Sequence, residues 1–156
     1  MRRKIRRSRT LSISLITVLS ATLLFTGTTA LCEPVTTRIS VSSDEEQGTQ
    51  YADSPSVSYD GRFVAFQSAS SNLTPEDTNE AVDIFVRDTL LGTTTRVSVS
   101  STGAQANGQS LYPALSADGR YVAFTSTATN LVPNDVNGFG DVFVHDRQTG
   151  TTTLVS

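Results

Sequence analysis

The sequence has one cysteine, one histidine and no tryptophan in 156 residues. A single Cys cannot build a disulfide framework within the chain. One Cys and one His cannot make a His/Cys zinc cage. Charge is sparse as well, at 17% of residues, but 37% are hydrophobic, which is not the composition of a disordered tail. No segment carries helical periodicity with caps, so long helices are not expected. No Gly-x-Ser-x-Gly elbow occurs, and no nucleophile, base and orienting acid stand out as a set. The length suits one ordinary domain.

Basic residues are nearly confined to the start. Arg2, Arg3, Lys4, Arg6, Arg7 and Arg9 lie in the first 30 residues, which hold no acid. The other 126 residues carry six arginines against 15 acids, a net charge of −9. Such a surface repels phosphate backbones, so no nucleic-acid partner is expected. The basic head leads into an apolar run, Leu11 to Phe25, and then Gly27, Thr28, Thr29 and Ala30. This is the layout of a secretory signal peptide over residues 1–30, with cleavage after Ala30. An uncleaved anchor is the alternative, but Ser12, Ser14, Thr17 and Ser20 interrupt the run. Cys32 follows Leu31 rather than a small residue, a poor fit to lipidation. The mature chain is expected in the periplasm, at the cell surface or outside the cell, with no membrane span.

A repeat fills nearly all of the mature chain. Residues 41–98 align with 99–156 at a constant offset of 58, without a gap, with 28 of 58 pairs identical. Two copies of one structural unit are implied. The offset also reaches back: Thr37-Arg38 matches Thr95-Arg96, so residues 31–40 read as the end strand of a preceding unit, Val35 to Val41. Each unit predicts four short strands. In the second copy they are Pro113–Ser116, Tyr121–Ser126, Asp141–Asp146 and Thr151–Ser156; in the first, Pro55–Ser58, Phe63–Ser68, Asp83–Asp88 and Thr93–Ser98. Asp60-Gly61 and Asp118-Gly119 sit between the first two strands of each copy. Asp-Gly between apolar runs is a strong hairpin signal. Ser and Thr number 43 of 156 residues, which suits strands with wet edges.

The ordered set Ser-x-Asp-Gly-Arg-(Tyr/Phe)-Val-Ala-Phe, Asp-(Val/Ile)-Phe-Val-x-Asp and Gly-Thr-Thr-Thr-x-Val-Ser occurs twice. It resembles the TolB-type, WD40-like beta-propeller repeats of exported bacterial proteins, over about residues 36–156. The resemblance implies an all-β fold of two four-stranded antiparallel propeller blades, with one orphan N-terminal strand. A closed propeller uses about 4–8 blades, so this is an incomplete one. Fewer than about three repeats rarely bury enough surface to be stable alone. Three outcomes remain open: a fragment of a longer propeller, a homo-oligomer that completes a ring, or a two-blade sandwich. The orphan strand favours the first two, and the fragment ranks first.

Few residues stand out as site candidates. The loops before the third strands place Asp77, Asn79 and Asp83 in one copy and Asp135, Asn137 and Asp141 in the other. Asp-x-Asn-x-x-x-Asp sets oxygen donors at alternate places, as calcium loops do. These six residues are the candidate metal ligands, and calcium the candidate cofactor. The pattern departs from an EF-hand: Ala81 and Phe139 stand where a ligand is due, and the terminal Glu is missing. Asx-turns that merely brace a long loop are the competing explanation. Asp60 and Asp118 read as hairpin residues. His145 aligns with Arg87 and is expected to face a nearby acid on a strand, not to catalyse. Asn72-Leu73-Thr74 is a formal glycosylation sequon. The expected function is a non-catalytic module that binds a protein or small ligand. A calcium-stabilised surface or adhesion protein, and the detached accessory propeller of a peptidase, are the alternatives.

Overall fold

A computed structural model describes residues 35–135 and 137–156. The signal segment 1–30, Cys32 and the first part of the expected end strand lie outside the described residues. Eight strands follow one another: β1 (Ala52–Val57), β2 (Phe63–Ser68), β3 (Asp83–Asp88), β4 (Thr93–Arg96), β5 (Ser110–Leu115), β6 (Tyr121–Ser126), β7 (Asp141–Asp146) and β8 (Thr151–Leu154). They form two four-stranded sheets in sequence order, β1-β2-β3-β4 and β5-β6-β7-β8. Every pairing is antiparallel. The fold is all-β, and each repeat is one blade-like sheet.

The turn chemistry explains the hairpins. Gly61 and Gly119 take φ of 75° and 73°, a conformation that costs glycine nothing. Asp60 Oδ1 accepts from the Arg62 N–H at 3.0 Å, and Asp118 does the same for Arg120. The Asp-Gly-Arg turn thus closes on its own side chain before any distant contact forms.

Register decides which residues meet. In the first sheet Ala65 pairs with Val86 and Phe66 with Phe85. Successive side chains point to opposite faces. Phe63, Ala65, Gln67, Ile84 and Val86 therefore share one face. Val64, Phe66, Phe85 and Arg87 share the other. The second sheet repeats this with Tyr121, Ala123, Thr125, Val142 and Val144 on the first kind of face. Val122, Phe124, Phe143 and His145 lie on the second kind.

The main core lies between the sheets. Ala65, Ile84 and Val86 of the first sheet meet Val122, Phe124 and Phe143 of the second, together with Val97 and Ala106 of the connection and Leu131 of the long loop. Burying one such aliphatic or aromatic side chain contributes about 1.5–3 kcal/mol. Four hydrogen bonds fix the packing. Tyr112 N donates to Gln67 Oε1 at 2.8 Å and Leu115 N to Ser56 Oγ at 2.9 Å. Ser110 N donates to the Val82 carbonyl at 2.7 Å and Tyr59 N to that of Ala117 at 2.8 Å. A smaller core of Phe66, Leu73 and Phe85, with Ile39 against it, lies on the far face of the first sheet.

Three expectations change. The first strand of each copy starts three residues early, at Ala52 and Ser110, and runs through a bulge. Ser54 (φ 51°) and Tyr112 (φ 56°) take the left-handed conformation there, just before Pro55 and Pro113. A bulge tolerates a proline, which has no N–H for the ladder. The fourth strands end at Arg96 and Leu154, not at Ser98 and Ser156. Over its described residues the orphan strand joins no ladder: Gly48 N donates to the Ser40 carbonyl at 3.0 Å, and Val41 makes an isolated bridge to Gln47. A strand exists through its ladder, and no third strand lies beside this one.

Candidate functional site

Three sets of polar residues recur in both repeats, and each has a definite job in the structure. The first set spans the hairpins. Ser58 Oγ donates to Asp60 Oδ1 at 2.6 Å and accepts from Phe63 N at 2.9 Å. Arg62 grips Asp88 through Nε and Nη2, at 3.0 and 2.7 Å, and lies 4.7 Å from the Phe63 ring centroid. Asp88 in turn accepts from the Leu90 and Leu91 amides. The Arg62 hydrogen bonds hold the Asp88 carboxyl at about 2. Ser116, Asp118, Arg120 and Asp146 repeat the arrangement, and Arg120 holds Asp146 far below the usual carboxylate range. The Ser58 hydrogen bond lowers the pKa of Asp60, as that of Ser116 does for Asp118. Each hairpin turn is thus clamped to the β3–β4 or β7–β8 turn at the same end of its sheet, as the hairpin reading expects.

The second set is the acidic loops. In the first, Asp83 is wholly buried and Asp77 nearly so. Gln105, from the connection between the sheets, donates to Asp77 Oδ1 at 2.8 Å and to Asp83 Oδ2 at 3.2 Å. Ser98 Oγ donates to Asp83 at 2.6 Å. The Arg96 guanidinium sits 3.4 Å from Asp77 and 3.8 Å from Asp83. Burial pushes the Asp83 carboxyl up, while Ser98, Gln105 and Arg96 pull it down. The positive charge expected from a calcium ion is supplied in this loop by the chain itself. Asn79 Nδ2 donates to Asp83 and to the Ala106 carbonyl, and Asn79 Oδ1 accepts from Ala81 N. That last bond is an Asx-turn.

Among the described residues the second loop has no counterpart of the Arg96 guanidinium or of Gln105. Asn137 Nδ2 donates to both Asp141 oxygens, at 3.1 and 2.9 Å, and Asn137 Oδ1 accepts from Phe139 N. Leu154 stands where the first copy has Arg96. Asp135, 8% exposed, therefore has no guanidinium supplied from that position. Both Asn oxygens are engaged by backbone, so the carboxylates of Asp135 and Asp141 are the donors a cation would have to share. Among the described residues no three His, Cys, Asp or Glu side chains converge in a metal-binding group.

The third set explains why Arg87 and His145 interchange. Thr94 Oγ1 donates to the Val41 carbonyl, and Arg87 Nη1 donates to that hydroxyl at 3.2 Å. Thr152 Oγ1 likewise donates to the Val99 carbonyl, so His145 Nδ1, 2.9 Å away, carries the proton and donates to it. The position calls for a donor. The expected acid partner holds for Arg87, which pairs with Glu45. It fails for His145, whose partner is the Thr152 hydroxyl. Burial lowers the His145 pKa. The sequon residue Asn72 is engaged too: its Nδ2 donates to the Gln47 carbonyl at 2.8 Å.

What remains unoccupied is a surface. Val97 is 2% exposed, and its repeat Val155 is 63% exposed. Gly119 lies so close to Phe63 that an added Cβ would fall 2.3 Å from the ring, whereas its repeat Gly61 has no neighbour within 4 Å. The second sheet leaves Tyr121, Val142 and Leu154 exposed. The first sheet leaves a groove of about 160 Å³ on its far face, lined by Ile39, Ser40, Ala52, Asp53, Pro55 and Phe66. Open sheet faces follow from the copy number. The roles of Arg96 and Gln105 were not legible, although the Arg96/Leu154 mismatch between copies was a usable signal.

No protein-family model and no curated protein matches the chain. Solved structures of TolB proteins are similar to it. TolB from Acinetobacter baumannii is 21% identical with a TM-score of 0.44, over 69% of this chain and 21% of that one. A putative TolB from Agrobacterium tumefaciens is 18% identical with a TM-score of 0.45, over 69% of this chain and 30% of that one. The chain spans less than a third of the length of either.

Proposed function

We propose that this chain is an exported, non-catalytic interaction module, a propeller segment that binds its partners on the open faces of its two sheets. One observation carries the reading. Equivalent positions in the repeat, Val97 and Val155, are covered in one copy and open in the other. An apolar sheet face that is dry wherever a neighbouring sheet is present marks a docking surface. The polar residues support the non-catalytic part. Asp77, Asp83, Asp141 and the one histidine are engaged by Arg96, Gln105, Ser98, the two Asn side chains and a threonine hydroxyl. Export rests on the basic, apolar and small-residue order of residues 1–30.

The test is a photo-crosslinking residue placed at Val142 in the full chain, in its own cells, with a second at the buried Val86 as control. Crosslinks from position 142 to another polypeptide chain, outside the cytoplasmic fraction, are expected. A position 142 as silent as position 86, or a protein retained in the cytoplasm, would overturn the reading.

A further inference from the structure

We propose that the partner for these faces is a second copy of the same chain, bound head to tail, with its first sheet seated on the open face of this second sheet. The inference rests on the interaction-module reading and names its partner. The contact inside one chain supplies the template. There the face of Phe63, Ala65 and Val86 is covered by the face of Val122, Phe124 and Phe143. The covered face recurs, uncovered, as Tyr121, Ala123 and Val144. The covering face recurs as Val57, Val64, Phe66 and Phe85; Val57 is 59% exposed, whereas Phe66 and Phe85 lie under Ile39 and Leu73. Ile39 holds there the place that Val97 holds at the inner junction. Seating a second copy therefore sets Val155 of this chain against the second copy's Phe66 in place of that copy's Ile39, and the two faces then complement each other as the two closed ones do.

Polar groups at the junction agree. Gln105 reaches from the connection into the first acidic loop, donating to Asp77 and Asp83. Its repeat is Gln47, identical in type and exposed. Asp77 and Asp83 recur as Asp135 and Asp141, in the loop whose Arg96 position holds Leu154. A second copy seated by the same rule would bring its Gln47 to Asp135 and Asp141, and the carbonyl of its Gly48 to Asn137. At the hairpin end, its Gly61 would lie over Tyr121 as Gly119 lies over Phe63. Such a contact uses different surfaces on the two copies, so it propagates until rotation closes a ring.

The test uses two variants of the exposed Gln47, which leave the core untouched. Sedimentation velocity on the full chain measures self-association. Gln47→Glu sets a third carboxylate against Asp135 and Asp141, and should weaken association at least about threefold. Gln47→Lys supplies there the positive charge that Arg96 supplies at the first loop, and should strengthen it by a similar factor. The apolar leader can associate by itself, so the opposite signs carry the test, not the mass alone. A monomeric chain, or two variants that shift the equilibrium equally or not at all, would overturn the proposal. A monomer that still crosslinks through position 142 to a different protein would overturn self-association and leave the interaction reading standing. A monomer with no crosslink would overturn both.

Discussion

Replacing Arg96 by leucine, the residue the second repeat carries at that place, should cost the chain a large part of its stability. In the first loop the Arg96 guanidinium lies 3.4 Å from Asp77 and 3.8 Å from Asp83. The two acids are 4% and 0% exposed at the side chain. Removing one partner of a buried charge set costs about 3–5 kcal/mol, because the other charge is left without compensation. Two features reduce this. Gln105, Ser98 and Asn79 still donate to the carboxylates. Two guanidinium nitrogens, Nε and Nη1, are buried without a hydrogen-bond partner, so the native arrangement already carries a desolvation cost. Together they bring the expected cost below that range, to about 2–3 kcal/mol at neutral pH. The sign with pH follows from Asp83. Its pKa is raised by burial, so its protonated form favours the folded state, and its contribution is lost as pH rises through the folded value. Without Arg96 that value rises further. The cost of the substitution should therefore be largest near pH 7.5 and shrink near pH 4. Urea denaturation at both pH values measures it. Asp77→Asn added to Arg96→Leu should recover part of the loss, a non-additive pair. A cost under about 0.5 kcal/mol at neutral pH, the level of an ordinary surface change, would refute the electrostatic account. A cost independent of pH would refute it too.

Three further outcomes are expected. Gly119→Ala should destabilise more than Gly61→Ala by at least about 1 kcal/mol, since both share a positive φ but only Gly119 faces the Phe63 ring; equal costs in urea would contradict the packing. The Arg62–Asp88 clamp should hold above pH 4 and weaken as pH falls toward about 2, the folded value of Asp88, so Asp88→Asn should flatten the acid limb of a stability profile. His145 should titrate below 6.5 by NMR, and its contribution, present above 6.5, should be lost as pH falls through the lowered folded value; a titration above 6.5 would contradict its burial.

The four central strands were legible to the residue. β2, β3, β6 and β7 are short apolar runs bounded by Asp-Gly turns and polar loops, and both signals are local. The edge strands were less so. Their bulges put Ser54 and Tyr112 in a left-handed conformation that neither residue type announces. The end strand joins no ladder within this chain for the opposite reason: its sequence fits a strand, but the strand it would pair with belongs to a preceding unit. The acidic loops were found by their spacing, and their Asx-turns are local chemistry too. What spacing did not reveal is that Arg96 and Gln105 fold onto Asp77 and Asp83 from elsewhere. That requires tertiary contact over separations of 13 to 28 residues, which no local pattern encodes. The open faces were legible from copy number alone. Their partner surfaces emerge only when each repeat position is compared for burial.

The central claim is that the outer sheet faces repeat the inner junction between two copies of the chain. Disulfide trapping tests it most directly. One chain carries Gly61→Cys, the other Tyr121→Cys, each with Cys32→Ser, and the two are mixed under mild oxidation. Gly119 against Phe63 places the equivalent positions within side-chain reach. The account predicts a mixed dimer joined through positions 61 and 121, formed in preference to 61–61 or 121–121 links. Links between like positions, or no link at all, would contradict it.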